Sequence, residues 1–500
     1  MKNIAIQCRL GVLLCLLTAV AGCYKDKGNY AYQVTNAVLV SDTLTRGIKA
    51  INKGDTLVLT PAVSQTMVSG DANLSYEWSF TTLNGGSTLR RILAHTKQLK
   101  AVMDSNFVLG FSYVLTYKVT DNNSGESVFL KYNISIGNKY SQGWMLLEDK
   151  GGTTDFSMIL PDGEVVHDVY STLNGVVLAD KPVRMQISTF LVSDGVNEAS
   201  RKLYLLMEHG GMEIDYTKMS RRYDYGGLFY TAPAVIQPTY TGFPSSATSM
   251  GSAINNGKLY INAAGPFPGI KKWGGALVSP ENKLNYELAP FVISGPGING
   301  NVYPVVVYDK VGKRFCGVSG TGASLDSFAR GASTLFDMNH TGMDLIYMDN
   351  SPAGQANAFM KDATGQVQFC RFRMSYTAVD SVLTLMKQPV NDAAIAGMHT
   401  AASSLMSDHI FYGTGNKVYR YEPASNTTAL QYSFPANEQV TIIKCPMPLA
   451  DAPQVAVVTW DGTQSRLYLF YINAMGGIDS YSVVYGGFGK VADAEYKFRY

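Results

Sequence analysis

His409-Ile-Phe-Tyr-Gly-Thr-Gly-Asn-Lys-Val-Tyr419 is the stretch that decides the fold. An apolar strand, His409 to Tyr412, runs into the turn Gly413-Thr-Gly-Asn416, and a second strand then carries an aromatic residue near its start, Tyr419. The same pattern returns seven times between residue 138 and residue 500, with second-strand aromatics Phe156, Tyr204, Tyr260, Phe315, Phe369, Tyr419 and Tyr468. Their separations are 48, 56, 55, 54, 50 and 49 residues. The turns include Lys150-Gly-Gly152, Asp194-Gly-Val-Asn197, Asn255-Asn-Gly257 and Asp461-Gly-Thr463, and the preceding strands include Trp144-Met-Leu-Leu147, Val305-Val-Val-Tyr308 and Val455-Ala-Val-Val-Thr-Trp460. A period of about 40–50 residues or slightly more fits one four-stranded meander of a β-propeller. One meander cannot bury both its faces, whereas seven in a ring can, and closure removes free sheet edges. The spacing therefore predicts a seven-bladed β-propeller over 138–500. The competing arrangement, unrelated hairpins in two sandwiches, does not account for the spacing. If the repeat is real, the seven aromatics share one position in successive blades, and segments 138–147 and 478–500 lie side by side.

Upstream, Thr56-Leu-Val-Leu-Thr60, Leu74-Ser-Tyr-Glu-Trp-Ser-Phe80, Tyr113 to Val119 and Ser127 to Ile134 alternate at strand period. Gly54-Asp55, Asn84-Gly-Gly86 and Asp121-Asn-Asn-Ser-Gly125 supply turns. These features predict an immunoglobulin-like β-sandwich over 34–137, with Trp78 in its core. The chain is thus read as all-β. Its boundaries fall at a leader over 1–22, a tether over 23–33, the sandwich, and the propeller, with an exposed link near Gly137-Asn138-Lys139.

The N-terminus carries Lys2 and Arg9, then an apolar run from Leu10 to Ala21, too short for a membrane span but suited to a signal peptide. It ends in Val20-Ala-Gly-Cys23, which resembles a bacterial lipobox; cleavage there leaves Cys23 as the lipidation site. Each buried CH₂ of such a lipid contributes about 0.8 kcal/mol, so a diacylated cysteine holds a chain to a membrane. Residues 1–22 include two of the 41 basic residues and none of the 39 acidic ones, so the mature chain is formally neutral. A neutral chain without basic runs is a poor nucleic-acid binder. Cys316, Cys370 and Cys445 remain in it, and apolar neighbours such as Phe315 and Phe369 suggest buried thiols rather than a disulfide framework.

Most chemical motifs fail on context. Gly295-Pro-Gly-Ile-Asn-Gly300 matches a dinucleotide fingerprint, but a strand rather than a helix follows it. Asp121 to Glu126 offers oxygen ligands without EF-hand spacing and reads as a hairpin turn. No GxSxG elbow and no HExxH motif occurs. A propeller axis is the one place where His209, His340 and His399 could meet; scattered loop and core positions are the simpler reading. The sequence points to no catalytic residue, no cofactor and no metal. The most suggestive stretches are Arg221-Arg-Tyr-Asp-Tyr225 with Tyr240 and Phe243, and Lys272-Trp273, where aromatics stand beside cations. Such groups stack on sugars or peptide side chains and pair with carboxylates. A binding rim of Arg221, Arg222, Tyr223, Tyr225, Tyr240, Phe243, Lys272 and Trp273 is expected, against the alternative that these rings pack between blades.

Taken together, Cys23-Tyr-Lys-Asp-Lys-Gly-Asn-Tyr30, Gly54-Asp-Thr-Leu57, Tyr76-Glu-Trp78, Val119-Thr-Asp121 and Gly143-Trp-Met-Leu-Leu-Glu148 resemble the PKD-like lipoprotein family of Bacteroidetes. The resemblance extends over nearly the whole chain. It implies a lipid-anchored, cell-surface protein of the outer membrane, serving a SusC/SusD-like nutrient-uptake system, with a glycan, peptide or other small nutrient as ligand. It brings no catalytic residues. A surface propeller enzyme, a glycoside hydrolase or lyase, is the alternative, and a purely structural partner of an uptake complex is a third reading. Substituting Cys23→Ala should abolish palmitate labelling and release the protein from membranes; labelling that persists would end the lipoprotein reading.

Overall fold

The computed structural model describes residues 35–499, apart from position 46 and segments 83–88, 189–190, 193–200, 244–249, 264–271, 295–302, 320–321, 329–334, 352–353, 375–381 and 447–454. The leader, Cys23, the tether, the turns at 84–86 and 194–197 and the glycine motif 295–300 lie outside the described residues. No described helix is long and apolar enough to cross a membrane. The chain divides into two compact units: the first comprises 1–49, 55–102 and 112–134, the second 50–54, 103–111 and 135–500. The expected link begins at Gly137, the last residue of strand Ser127–Gly137. Strand Ser127–Gly137 runs unbroken through the division, and Ser135, Ile136 and Gly137 are buried. Asn138 is half-buried and Lys139 exposed.

The first unit is built on a five-stranded sheet, ordered Ile48–Asn52, Ser127–Gly137, Ser112–Asp121, Leu74–Thr82, Arg91–Ala94, with two further two-stranded ladders. Ser112–Asp121 alternates strictly between buried and half-buried residues, as a strand with one face on a core must. Trp78 is fully buried, stacks on Tyr117 with ring centroids 4.3 Å apart, and donates its indole N–H to Thr96 O at 2.9 Å. A buried indole needs such a partner. The Asp121 loop is a hairpin turn whose carboxylate already accepts from the Asn36 and Asn73 amides and from Asn123 N.

In the second unit the described residues form seven antiparallel sheets in chain order, a propeller-like arrangement. Sheets two to seven open with Pro182–Ile187, Pro238–Gly242, Ile293–Ser294, Asp344–Asn350, Thr400–Ser403 and Gln439–Lys444, and each then proceeds strand by strand along the chain. The first sheet differs. Its strands Gly143–Asp149, Thr154–Ile159 and Val165–Val166 are completed by Lys490–Lys497, paired antiparallel from Gly143 with Lys497 to Asp149 with Lys490. The two segments expected side by side are therefore directly hydrogen-bonded. Gly143 makes the entry possible: its φ is +140°, and a Cβ there would sit 2.2 Å from Ile159 O.

The cores lie between sheets. Because successive side chains point to opposite faces, each strand feeds two of them. Met145 and Leu147 join Met185, Leu203 and Leu205 of the second sheet, while Trp144 and Leu146 join Ala456, Val458, Leu467 and Leu469 of the seventh. Similar clusters join the second sheet to the third, the third to the fourth, the fourth to the fifth, the fifth to the sixth and the sixth to the seventh. Strands buried on both faces read as unbroken apolar runs such as Val305-Val-Val-Tyr308, all buried here.

Six of the seven repeat aromatics stand on the third strand of their sheets, just beyond the hairpin turn: Phe156, Tyr260, Phe315, Phe369, Tyr419 and Tyr468. Phe156, Phe315, Phe369 and Tyr468 are buried, and Tyr260 and Tyr419 partly so. Tyr204 is one strand out of phase. It lies on the second strand, Leu203–Met207, and the hairpin that matches the others turns at Glu208-His209, where no aromatic follows. Truncating the chain after Gly489 should abolish cooperative thermal unfolding of the second unit, because it strips the Trp144 and Leu146 face and unpairs the Gly143–Asp149 ladder. Several kcal/mol are at stake, as for other large core losses. A truncated protein melting at the wild-type temperature would show that the first sheet does not depend on this strand.

Candidate functional site

The first strands of sheets two to seven, with Lys490–Lys497 of the first sheet, come together around a cavity of about 480 Å³. Each of the seven sheets contributes to its wall, the fourth through Pro290–Val292 leading into Ile293–Ser294. The volume suits a small polar ligand. The apolar side chains of these strands go to the inter-sheet cores, leaving polar groups for the centre. On Pro182–Ile187, Met185 is buried in a core, and Arg184 and Gln186 line the cavity.

Charge is organised on this wall. Lys444 Nζ lies 2.9 Å from Asp493 Oδ1 and 2.8 Å from Glu495 Oε1. Burial alone would lower its pKa, but the Asp493 and Glu495 carboxylates outweigh burial and hold it above the ordinary lysine range. Asp493 is further committed, accepting from Met185 N at 3.1 Å and Ala494 N at 2.9 Å. Glu495 is raised by burial, partly offset by Lys444.

Asp349 accepts from Ser403 N at 2.6 Å, Ser403 Oγ at 2.7 Å and Tyr347 OH at 3.0 Å. From Ser403 the network passes through Asn357 to Arg371, whose guanidinium forms a bidentate pair with Asp408 at 2.6 and 2.8 Å. Burial pushes Asp349 up to about 6, against the opposing hydrogen bonds from Ser403. Burial likewise raises the phenols of Tyr240 and Tyr347 and the thiol of Cys445. Cys445 is thus a protonated thiol, not an activated nucleophile. Cys316 and Cys370 are also free and buried, in line with their apolar neighbours.

The eight residues expected to form a rim are dispersed. Tyr225, Phe243 and Trp273 belong to the buried cluster between the second and third sheets, with Tyr204 and Trp273 edge to face at 5.6 Å. Tyr240 faces the central cavity instead. Arg221 is exposed and paired with Asp224 at 2.9 Å. Arg222 pairs with Glu213 at 2.9 Å and sits 5.3 Å from the Tyr223 ring centroid; Tyr223 is the one partly exposed aromatic of the group. Lys272 is half-buried. The cause is local. The third sheet has three strands, and Trp273–Leu277 runs beside the outermost, Lys258–Ala263, with Gly274 N on Ile261 O at 3.0 Å and Leu277 N on Leu259 O at 2.7 Å. A stretch that reads as a loop because of Gly274-Gly275 serves as an irregular fourth strand, so its aromatic is buried.

The histidines also have separate partners. His209 contacts Asp180, His340 contacts Asp337, and His399 lines the cavity with its ring on Val440 O. Sequence reasoning did not find Arg184, Asp349, Lys444 or Asp493, since no local motif marks them.

The model of the PKD-like family matches residues 23–182. That span takes in residues 23–134 of the first unit and three of the four strands of the opening sheet of the second, stopping where Pro182–Ile187 begins; the match is narrower than the near-complete resemblance expected from the motifs. A search of curated proteins returns no match. Among solved structures, a quinonprotein alcohol dehydrogenase-like protein of Bacteroides thetaiotaomicron VPI-5482 is 12% identical, covering 91% of this chain and 97% of that one, with a TM-score of 0.42. The extracellular domain of a one-component system of B. thetaiotaomicron is 9% identical over 60% of this chain and 34% of that one, with a TM-score of 0.35. The WD40 domain of SCAP from fission yeast is 11% identical over 63% and 69%, with a TM-score of 0.32. At these identities and scores the likenesses carry neither an activity nor a ligand to this chain.

Asp349 gives a pH test. In the unfolded chain it titrates near 3.8, and in the native state at about 6. The native state holds this proton more tightly, so its contribution to stability is full below about 4, falls as pH rises to about 6, and stays reduced above. Asp349→Asn mimics the protonated form. The wild-type minus variant difference in urea-unfolding free energy should change by on the order of 2 kcal/mol between pH 4 and 7. A difference independent of pH would show that Asp349 titrates normally.

Proposed function

We propose that this protein is a lipid-anchored, cell-surface binding protein whose second unit is a closed seven-bladed β-propeller, with the central cavity as its ligand site. The observation that carries this reading is the convergence of the first strands of six sheets and the completing strand of the first on one polar cavity. The ring reading is supported by seven inter-sheet cores, the last returning from the seventh sheet to the first. The lipobox at Cys23 and the PKD-like match over 23–182 favour an exported accessory of a SusC/SusD-like uptake system, with the first unit as spacer.

The enzymatic alternative has one observation in its favour: Asp349 and Asp493 both line the cavity, and Asp349 is raised to a value suited to a general acid. Their hydrogen bonds argue against it. Three protein donors engage each carboxylate, on both of its oxygens, and fix it as a structural acceptor of the wall. Non-catalytic capture is therefore preferred.

The mature protein should show a rise in melting temperature with at least one member of a panel of oligosaccharides, short peptides and organic acids. Ala492→Phe, which fills the cavity wall, should remove that rise while leaving the unliganded melt within a few degrees. A ligand shift undiminished in Ala492→Phe, or conversion of a panel member to product, would overturn the proposal.

A further inference from the structure

We infer that the central cavity takes a polar solute bearing a carboxylate, gripped by Arg184 with help from Tyr240 and Gln186. This deepens the reading of the cavity as the ligand site and rests on it. Lys444 is already paired with two carboxylates. Asp493 and Asp349 each already accept from three protein donors. Arg184 differs. Among the described residues its one hydrogen bond runs from Nη1 to Pro290 O at 2.7 Å, a neutral acceptor, and it forms no ion pair. A guanidinium has five N–H donors in a fixed fork, so four remain. It is only partly buried, and none of its nitrogens is both sealed from solvent and unpartnered.

The neighbouring uncommitted groups are also able to donate. Gln186 lies two residues along the same strand, hence on the same face, and its side-chain amide bonds to no described protein group. Tyr240, from the adjacent sheet, likewise leaves its hydroxyl without a described partner. Around Arg184 the open polar groups are therefore donors beside a cation with no ion pair among the described residues, which fits an acceptor with a single negative charge; Asn350 Oδ1, sealed on the fifth sheet, is an unpartnered acceptor of the same wall. A carboxylate matches the planar fork bidentately. A phosphate or sulfate dianion fits worse, because Asp349, Asp493 and Glu495 oppose a second charge. The remaining volume accommodates a body of sugar size, so a uronic acid fits, as does an organic acid.

Arginine labelling tests both levels on wild-type protein, without a variant that must fold. The mature chain is treated with phenylglyoxal and modified arginines are located by mass spectrometry, with exposed Arg221 as internal standard. Labelling is repeated with acetate, succinate, glucuronate, glucose and sulfate. We expect Arg184 to be labelled, and to be protected severalfold by at least one carboxylate but not by glucose or sulfate, while Arg221 is unaffected. Labelling of Arg184 that no carboxylate slows, or that glucose or sulfate slows equally, overturns the carboxylate assignment and leaves the cavity reading standing. An Arg184 that phenylglyoxal does not reach shows a cavity closed to solutes, and both readings fall. Where glucuronate protects, titration calorimetry should show at least tenfold weaker binding to Arg184→Gln.

Discussion

The second unit depends on one ladder, the pairing of Gly143–Asp149 with Lys490–Lys497. Every other sheet there is made from neighbouring stretches of chain. This one joins residues about 350 positions apart. Without it Leu146 and Trp144 lose the edge that seats them against the seventh sheet, and Met145 and Leu147 lose the frame that presents them to the second. The sheets have two apolar faces each, so no single one can be released without exposing two cores. Stability is thus shared around the set rather than held in any one sheet.

The same two-faced burial explains the character of the central cavity. Hydrophobic side chains are drawn into the gaps between sheets, and the first strands meet with polar groups on the side that remains. Buried charges persist only when compensated. Lys444 with Asp493 and Glu495, and Asp349 with Ser403 and Tyr347, meet that condition from several sheets at once. Arg184, only partly buried, has no ion pair among the described residues, and for that reason it carries the chemical reading of the site.

The repeat was legible in the sequence because each hairpin is local: an apolar run, a glycine turn and an aromatic fall within about 15 residues and need no long-range contact. Trp78 was legible for the same reason. Tyr204 was assigned to the wrong strand because the second sheet breaks the pattern, having Met212 and Glu213 where the other third strands carry a ring. Trp273 reads as part of a rim because the glycines beside it mimic a loop in a segment that pairs as a strand. The cavity was not legible at all. Arg184, Tyr240, Asp349, Lys444 and Asp493 are spread over some 300 residues, and no spacing rule connects them.

The late position of Lys490–Lys497 also fixes a timetable. A chain emerging from a ribosome or an export channel presents Gly143–Asp149 long before its partner strand exists. Until then Trp144, Leu146 and the backbone donors of that strand are an open sheet edge, the kind of surface that invites wrong pairings. Joining strands so distant in sequence is slow, because loop-closure entropy must be met before the contact is formed. The second unit therefore completes its fold only after residues 490–497 are delivered, and a chain crossing a membrane has to be kept unfolded or guarded until then.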